Sequence, residues 1–214
     1  MLGDEKGPGV LKPVLRTHRK AGRGFTLIEL LVTITLIGIL IALAVPSFST
    51  WIHNTQVRTV AEALQNGVRL AQSEALRRNQ QVVMSFTNDA NPKLNPTAVA
   101  GGKNWSAQTV ASPYVDGNAA EFLASGALSD IASSVVIGNV GGAFPAICFN
   151  ANGRLMGPTA AAATSNCTVG SPVTFQVSRA GSDRPLNVNV TVGGQVRMCD
   201  PNRPALSSTS PDGC

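Results

Sequence analysis

The sequence predicts an α+β protein in which one long N-terminal helix packs on an antiparallel β-sheet. Three observations support this class: an apolar run over residues 25–45, an amphipathic helical pattern after it, and segments of period two beyond residue 80. Of the 214 residues, 43% are hydrophobic and 14% are charged. This balance suits a folded core and argues against wholesale disorder. We therefore expect one globular domain attached to a membrane segment.

The first element is the apolar run from Phe25 to Val45, 21 residues long with a single charge at Glu29. As a helix it would be about 31 Å long, enough to cross the hydrocarbon core of a bilayer. Pro46 follows and is expected to kink the helix, so we assign residues 25–46 to the membrane. An ionised carboxylate there costs on the order of 3 kcal/mol or more, so Glu29 should have a cationic partner. The alternative is that Glu29 lies among the lipid headgroups and has no role.

The helical pattern continues over residues 47–80 with a different character. Apolar residues recur at spacings of three and four, with charged and amide side chains between them. The apolar positions are Val57, Val60, Leu64, Val68, Ala71 and Ala75. This pattern predicts one continuous helix from about Phe25 to Asn79, whose second half packs on the globular domain.

Residues 81–214 are expected to form the β-rich domain. Alternation is visible at residues 82–86, 173–177 and 186–192, with tight-turn signals at Asn152-Gly153 and Gly193-Gly194. The second turn joins the strand at 186–192 to the segment at 195–199. Residues 88–118 and 157–172 have the composition of loops.

The charge is concentrated at the start of the chain. Residues 1–24 contain six basic and two acidic side chains, so they hold +4 of the net charge of +5. A basic segment before an apolar run is expected to stay in the cytoplasm while the residues that follow are exported. The rest of the chain has a net charge of +1, so the overall charge says little about nucleic acid.

All four cysteines, Cys148, Cys167, Cys199 and Cys214, lie in the C-terminal third. They form no CxxC pair, and His18 and His53 are distant in sequence, so we expect no metal site. An even number of cysteines outside the cytoplasm favours two disulfides, for which three connectivities exist. Cys148–Cys167 and Cys199–Cys214 are favoured because each closes a local loop.

No catalytic or cofactor-binding pattern is found. The sequence lacks G-x-S-x-G, H-E-x-x-H and a phosphate-binding loop, since the segment Gly101–Trp105 does not have the required frame. We therefore predict a protein that is not an enzyme and uses no cofactor or small-molecule substrate.

The segment "GRGFTLIELLVTI", residues 22–34, resembles the processing site of type IV prepilins and pseudopilins. The helix end at residues 64–84 and the "VPSF" segment are similar to the GspH/FimT pseudopilin family. The resemblance implies a pilin-like fold, removal of residues 1–24 by a prepilin peptidase between Gly24 and Phe25, and N-methylation of Phe25. It also implies that Glu29 compensates the new amine of a neighbouring subunit during filament assembly. The protein would lie in the bacterial inner membrane with its globular domain in the periplasm, and then in a pilus or pseudopilus.

Two other interpretations of the N-terminal segment compete with processing as a prepilin. One is a secretory signal peptide cut after Ala44, which would leave a periplasmic protein. The other is a membrane anchor that is never cut. The first residue of the mature protein separates the three: Phe25 for a pilin, Val45 for a signal peptide and Met1 for an anchor.

The resemblance leaves the filament system open. A type IV pilus, with a contribution to DNA uptake, is favoured; a minor pseudopilin of a type II secretion system, in contact with secreted cargo, is the alternative. FimT-like proteins resemble DNA receptors with a C-terminal Gly-Arg-x-Arg motif. In the matching segment Gln195 replaces the first arginine, so Arg197 and Arg203 are the DNA-binding candidates, with Arg154, Arg179 and Arg184 as possible helpers. Because phosphate contacts drive nonspecific affinity, binding to duplex DNA through these arginines is expected to be weak at best. The alternative is that they are solvated surface residues with no ligand.

Overall fold

The computed structural model describes residues 24–111, 119–159, 170–205 and 207–214. The first element is a 52-residue helix, α1, over Leu27–Arg78, within two residues of the predicted bounds at its start and one at its end. The chain divides into two compact units, Met1–Leu43 and Ala44–Cys214. The predicted class is confirmed, because a long N-terminal helix is followed by antiparallel sheets.

In the first unit the helix is exposed all round. Its large apolar side chains have exposed fractions of 46–83%, from Val32 to Phe25. An 18-residue window within α1 has a mean hydropathy of 2.7, and the helix is long and apolar enough to cross a membrane. The helical assignment runs without a break through Pro46, and the kink predicted there stays a prediction.

In the second unit α1 buries one face. All six residues of the predicted apolar stripe are 0–1% exposed: Val57, Val60, Leu64, Val68, Ala71 and Ala75. The helix also places Gly67 against the indole ring of Trp105, where a Cβ atom would lie 2.7 Å from two ring carbons. A glycine inside a helix is unfavourable in itself, but here it makes room for the largest aromatic side chain of the core.

Two antiparallel sheets form the β-domain, where the sequence predicted one. The first has the order β3-β2-β1-β5-β6 and the second the order β4-β7-β8-β9. The strands are β1 Val82–Thr87, β2 Asn104–Thr109, β3 Phe122–Ala127, β4 Val135–Val140, β5 Ala146–Phe149, β6 Leu155–Thr159, β7 Val173–Arg179, β8 Leu186–Val190 and β9 Val196–Cys199. A one-turn helix, α2, covers Leu128–Ile131.

The main core lies between the stripe of α1 and both sheets. It includes Phe86 and Phe175, whose ring centroids are 5.0 Å apart, and Phe144, whose ring meets Phe175 edge-on at 5.6 Å. The opposite face of β1 is also buried, because Val83 belongs to a smaller apolar cluster with Cys148. Burial on both faces explains why all six residues of β1 are buried.

The prediction of a loop over residues 88–118 is wrong in its centre, because β2 lies there between β1 and β3. The strand was missed because its polar side chains are buried and bonded to the preceding loop. The Ser106 hydroxyl donates to the Lys93 carbonyl (2.8 Å), and the Gln108 amide exchanges bonds with Asn95 at 2.7 and 2.9 Å. Such a segment has the composition of a loop and the conformation of a strand.

The loop predicted over residues 157–172 overlaps strands at its start, since β6 extends to Thr159. Residues 112–118 and 160–169 of the two predicted loops lie outside the described residues. Both predicted tight turns are confirmed: Asn152-Gly153 joins β5 to β6, and Gly193-Gly194 joins β8 to β9. Gly153 and Gly194 have φ angles of +70° and +86°, which glycine adopts at little cost.

Candidate functional site: the N-terminal segment and the C-terminal loop

The start of α1 contains a helix cap that the sequence analysis overlooked. Thr26 precedes the first helical residue, and its hydroxyl accepts a hydrogen bond from the Glu29 backbone N–H at 3.3 Å. Thr-x-x-Glu is the pattern of a capping box, and that signal was available in the sequence. Glu29 also lies in the first helical turn, where a carboxylate is favoured by the helix dipole. Its position therefore has a local explanation in addition to the predicted role in assembly.

The residues of the expected cleavage site are accessible. Gly24 and Phe25 precede the helix, and the Phe25 side chain is 83% exposed. Apart from the chain neighbours of Gly24, no atom of the described residues lies within 4 Å of the place where a Cβ of Gly24 would be. A peptidase needs room around the bond that it cuts, and the described residues leave such room at Gly24 and Phe25. The rest of the predicted leader, residues 1–23, lies outside the described residues.

Polar side chains of α1 hold the second half of the helix to the sheets. Arg69 donates to the Val196 carbonyl at 3.2 Å, and Gln72 donates to the Gly153 carbonyl at 2.8 Å. The two acceptors belong to β9 and to the turn between β5 and β6. The helix therefore fixes the position of β9, from which the C-terminal loop departs.

A disulfide between Cys199 and Cys214 closes this C-terminal loop, residues 199–214, with a Cα–Cα distance of 5.1 Å. It is one of the two pairs favoured by the sequence. Cys148 is also disulfide-bonded. Cys167, its expected partner, lies outside the described residues.

Both DNA-binding candidates of the sequence analysis are engaged with the C-terminal loop. Arg197 donates from Nη2 to the carbonyls of Pro211 (3.0 Å) and Gly213 (2.9 Å). Arg203 forms an ion pair with Asp212, Nε to Oδ2 at 3.2 Å, and lies 3.9 Å from a carboxylate oxygen of Asp200. The structure thus brings both arginines to residues 211–213, where they hold the loop in place.

The candidate helpers do not join them. Arg154 is exposed at the turn between β5 and β6, Arg179 ends β7, and Arg184 precedes β8. A phosphate would have to compete with two carboxylates for Arg203 and with two carbonyls for Arg197. Geometry and charge together give this region no continuous basic surface among the described residues.

A cluster of charged side chains near the end of α1 has shifted pKa values. Hydrogen bonds from Arg77 (2.6 Å) and Arg78 (3.0 Å) lower the pKa of Glu74, and the same bonds raise the pKa of both arginines. Arg78 also pairs with Glu121 beside β3 at 2.5 Å. The cluster links the last helical turn to the first sheet and has the character of a structural ion-pair network.

Among the described residues no three His, Cys, Asp or Glu side chains lie close enough together to hold a metal ion. The features that remain are an exposed apolar helix with its N-terminal cap, a packed helix half, and a disulfide-closed loop. Residues 60–194 match the family model described as type II transport protein GspH, which is more than half of the chain.

The chain belongs to the GspH family. In this GspH-family protein, residues 19–45 also match the prokaryotic N-terminal methylation motif, which includes Gly24, Phe25 and Glu29. The GspH match ends at Gly194, so the C-terminal loop and both candidate arginines lie beyond it.

Part of the GspH-family protein is similar to curated fimbrial proteins. Two fimbrial proteins of Pseudomonas aeruginosa are each 39% identical to it over 69 residues, which is 32% of this chain and 44% of theirs. The chain thus spans less than half the length of the curated relatives it matches.

Two solved structures are more distant. The type IV minor pilin FimU of Pseudomonas aeruginosa aligns at 20% identity with a TM-score of 0.46, covering 77% of this chain and 98% of FimU. The minor pseudopilin EpsH of the type 2 secretion system of Vibrio cholerae aligns at 11% identity with a TM-score of 0.44, covering 69% of this chain and 99% of EpsH.

Proposed function

We propose that this protein is a minor subunit of a type IV pilus machine that is cut between Gly24 and Phe25, methylated on Phe25, and incorporated through α1. The matches to the family model of type II transport protein GspH and to the N-terminal methylation motif support the proposal. The observation that carries the proposal is the division of α1 into two surfaces. The N-terminal half exposes apolar side chains on every face, whereas the second half buries one face in the globular domain.

Physical reasoning connects this division to assembly. A helix that is apolar all round is stable only in a bilayer or against other apolar helices. A subunit that leaves the membrane must therefore exchange lipid for the helices of neighbouring subunits. The basic leader keeps its own end in the cytoplasm, and the disulfide-bonded domain then lies in the periplasm, where disulfides persist.

Glu29 gives the proposal its test. The cut creates a cation on Phe25, and a carboxylate in an apolar helix bundle needs such a partner. We expect Glu29→Gln to be cut normally and to lose incorporation into filaments. Glu62→Gln is the matched control, because Glu62 lies on the exposed side of the same helix and, among the described residues, its carboxylate pairs only with Arg58.

The measurement is the amount of each variant in sheared filaments relative to the membrane fraction, together with the N-terminal residue of the mature chain. If Glu29→Gln enters filaments as well as Glu62→Gln does, the assembly role of Glu29 is excluded. A mature chain that begins at Val45 or Met1 would exclude cutting as a prepilin and favour a signal peptide or an uncut anchor.

A type II secretion pseudopilus is the second candidate, and the family description as a type II transport protein favours it. The helix suits both systems equally, so the two differ in the phenotype of a deletion strain. Loss of surface pili supports the pilus, and accumulation of exported proteins in the periplasm supports secretion.

A further inference from the structure

A cavity of about 750 Å³ lies between α1 and the C-terminal part of the β-domain. One face of the helix, over successive turns from Ser47 to Arg58, forms its first wall. The second wall comes from the segment before β8, from the end of β9 and from the C-terminal loop. Apart from Cys199, these residues have no role in the proposed function.

The cavity carries charges of both signs. Asp183, Asp200 and Asp212 line it together with Arg58 and Arg184. Asp200 and Asp212 share Arg203, and Arg58 bonds to Glu62 at 2.8 Å. The Arg184 guanidinium, by contrast, makes no ion pair or hydrogen bond with any residue that the structure describes. The second wall thus contains an unengaged guanidinium, Arg184, together with a pair of carboxylates, Asp200 and Asp212, that share one cation.

The backbone that carries Arg184 is fixed in place. Asn54 accepts hydrogen bonds from the backbone N–H groups of Asp183 (3.2 Å) and Arg184 (3.3 Å), and its own amide donates to the Asp183 carboxylate at 2.6 Å. One helical side chain therefore holds this turn with three bonds. Such preorganisation lowers the entropic cost of binding at the adjacent guanidinium.

The cavity begins close to the end of the apolar run. Ser47 is two positions beyond Val45, the last residue of that run. Phe48 and Trp51 follow with their ring centroids 5.6 Å apart, and each side chain is 60% exposed. Exposed aromatic residues directly after a membrane span are typical of the headgroup layer of a bilayer. Trp51 itself lines the cavity.

We propose that this cavity binds the headgroup of a zwitterionic phospholipid of the membrane that α1 spans, with Arg184 holding the phosphate and the carboxylates of Asp200 and Asp212 holding the amine. This inference rests on the membrane anchoring of the proposed function. The balance of charges favours a zwitterionic over an anionic headgroup, since anionic lipids are recognised by clusters of basic residues and three carboxylates would repel them. Trp51 suits the boundary between headgroup and acyl chain.

The test uses the full chain in nanodiscs with equal amounts of phosphatidylethanolamine and phosphatidylglycerol. Native mass spectrometry of the released protein measures which lipid stays bound. We expect phosphatidylethanolamine adducts to exceed phosphatidylglycerol adducts by about fivefold, a modest ratio because the site is open to water. Arg184→Gln should bring the ratio close to one. Arg154→Gln should leave it unchanged, because Arg154 is equally exposed and lies outside the cavity.

Each other outcome overturns the inference. Equal adducts in the unmodified protein, a preference for phosphatidylglycerol, or the same loss in Arg154→Gln would exclude a specific headgroup site at Arg184. Retention of the chain by the nanodiscs is measured separately, by co-purification. A chain that is retained but does not select a lipid refutes this inference alone, whereas a chain that is not retained refutes the anchoring as well.

Discussion

At the scale of single residues, the contacts of a side chain explain its role better than its residue type does. Glu29 is an example, because the Thr26 cap and the helix dipole explain its place before any neighbour is considered. Arg197 is another, because its guanidinium binds two carbonyls of the C-terminal loop. A residue type that suggests a ligand can therefore have a structural role in the fold.

Gly194 offers a direct test of such a contact. Its φ angle is +86°, and a Cβ there would overlap both the Gln72 Nε2 atom and the Gly153 carbonyl oxygen. We expect Gly194→Ala to lower the free energy of unfolding by more than about 2 kcal/mol, because it adds backbone strain and separates β9 from α1. Urea unfolding of the full chain in detergent measures the change.

Gly193→Ala is the matched control in the same turn. A Cβ at this position would have the Thr191 hydroxyl oxygen as its nearest neighbour, 3.8 Å away, which is an ordinary contact. This variant should change the free energy of unfolding by less than about 1 kcal/mol. Equal effects in the two variants would contradict the close approach of Gln72 to Gly194.

At the scale of elements, the sequence predicted what depends on apolar periodicity. The stripe of α1 and the alternation in β7 and β8 were visible because one face of each element is apolar and buried. In β2 the buried side chains of Ser106 and Gln108 are polar and hydrogen-bonded to a neighbouring loop. The sequence of β2 therefore shows no alternation of apolar and polar residues. The pairing of strands into two sheets depends on contacts between segments that are distant in sequence. A local apolar pattern carries no information about such contacts.

The C-terminal loop is held by its disulfide and by the bonds of Arg197 and Arg203. A disulfide that joins residues 15 apart is expected to contribute about 3 kcal/mol by restricting the unfolded chain. We expect the double variant Cys199→Ala/Cys214→Ala to lose about this much in the free energy of unfolding. Ser208→Ala, an exposed substitution in the same loop, should have almost no effect.

The same loop forms one wall of the cavity beside α1, so the double cysteine variant should also weaken lipid selection. An unchanged free energy of unfolding would show that Arg197 and Arg203 hold the loop without the disulfide. Their bonds to residues 211–213 make this a specific alternative.

The end of α1 should respond to pH through Glu74. Its two arginine partners lower its pKa below the ordinary value of 4.5, so the folded state favours the ionised form. The stabilisation by these ion pairs is fully present above pH 4.5, the ordinary pKa of the carboxyl group. It is lost as the pH falls through the lower pKa of Glu74 in the folded state. We expect Glu74→Gln to be less stable than the unmodified protein at pH 7 and the difference to shrink as the pH falls below 4.5 and through the lower pKa of the folded state. A difference that does not depend on pH would show that packing, rather than charge, links Glu74 to Arg77 and Arg78.

At the scale of the whole molecule, the net charge is divided unequally between the predicted leader and the rest of the chain. The basic leader holds most of the net charge, and removing residues 1–24 leaves a chain of net charge +1. In the proposed function the leader sets the orientation in the membrane, while the remaining residues have little general attraction for polyanions. Assembly through α1 needs no such attraction, because it depends on apolar surface.

Duplex DNA remains a hypothesis that this charge distribution constrains. Binding through Arg197 and Arg203 would have to replace their bonds to the C-terminal loop, and few further cations are close by. Because each phosphate contact adds to the nonspecific affinity, a site with few such contacts binds weakly even at low salt, and salt weakens it further. We therefore expect any retention of a duplex by the full chain to be confined to low ionic strength. A gel shift at low and at physiological salt measures this, and Arg154→Ala is the control for an exposed arginine elsewhere. If the double variant Arg197→Ala/Arg203→Ala binds DNA as the unmodified chain does, these arginines are not the DNA site. If the unmodified chain binds tightly at physiological salt and the double variant does not, the C-terminal loop must open when DNA binds.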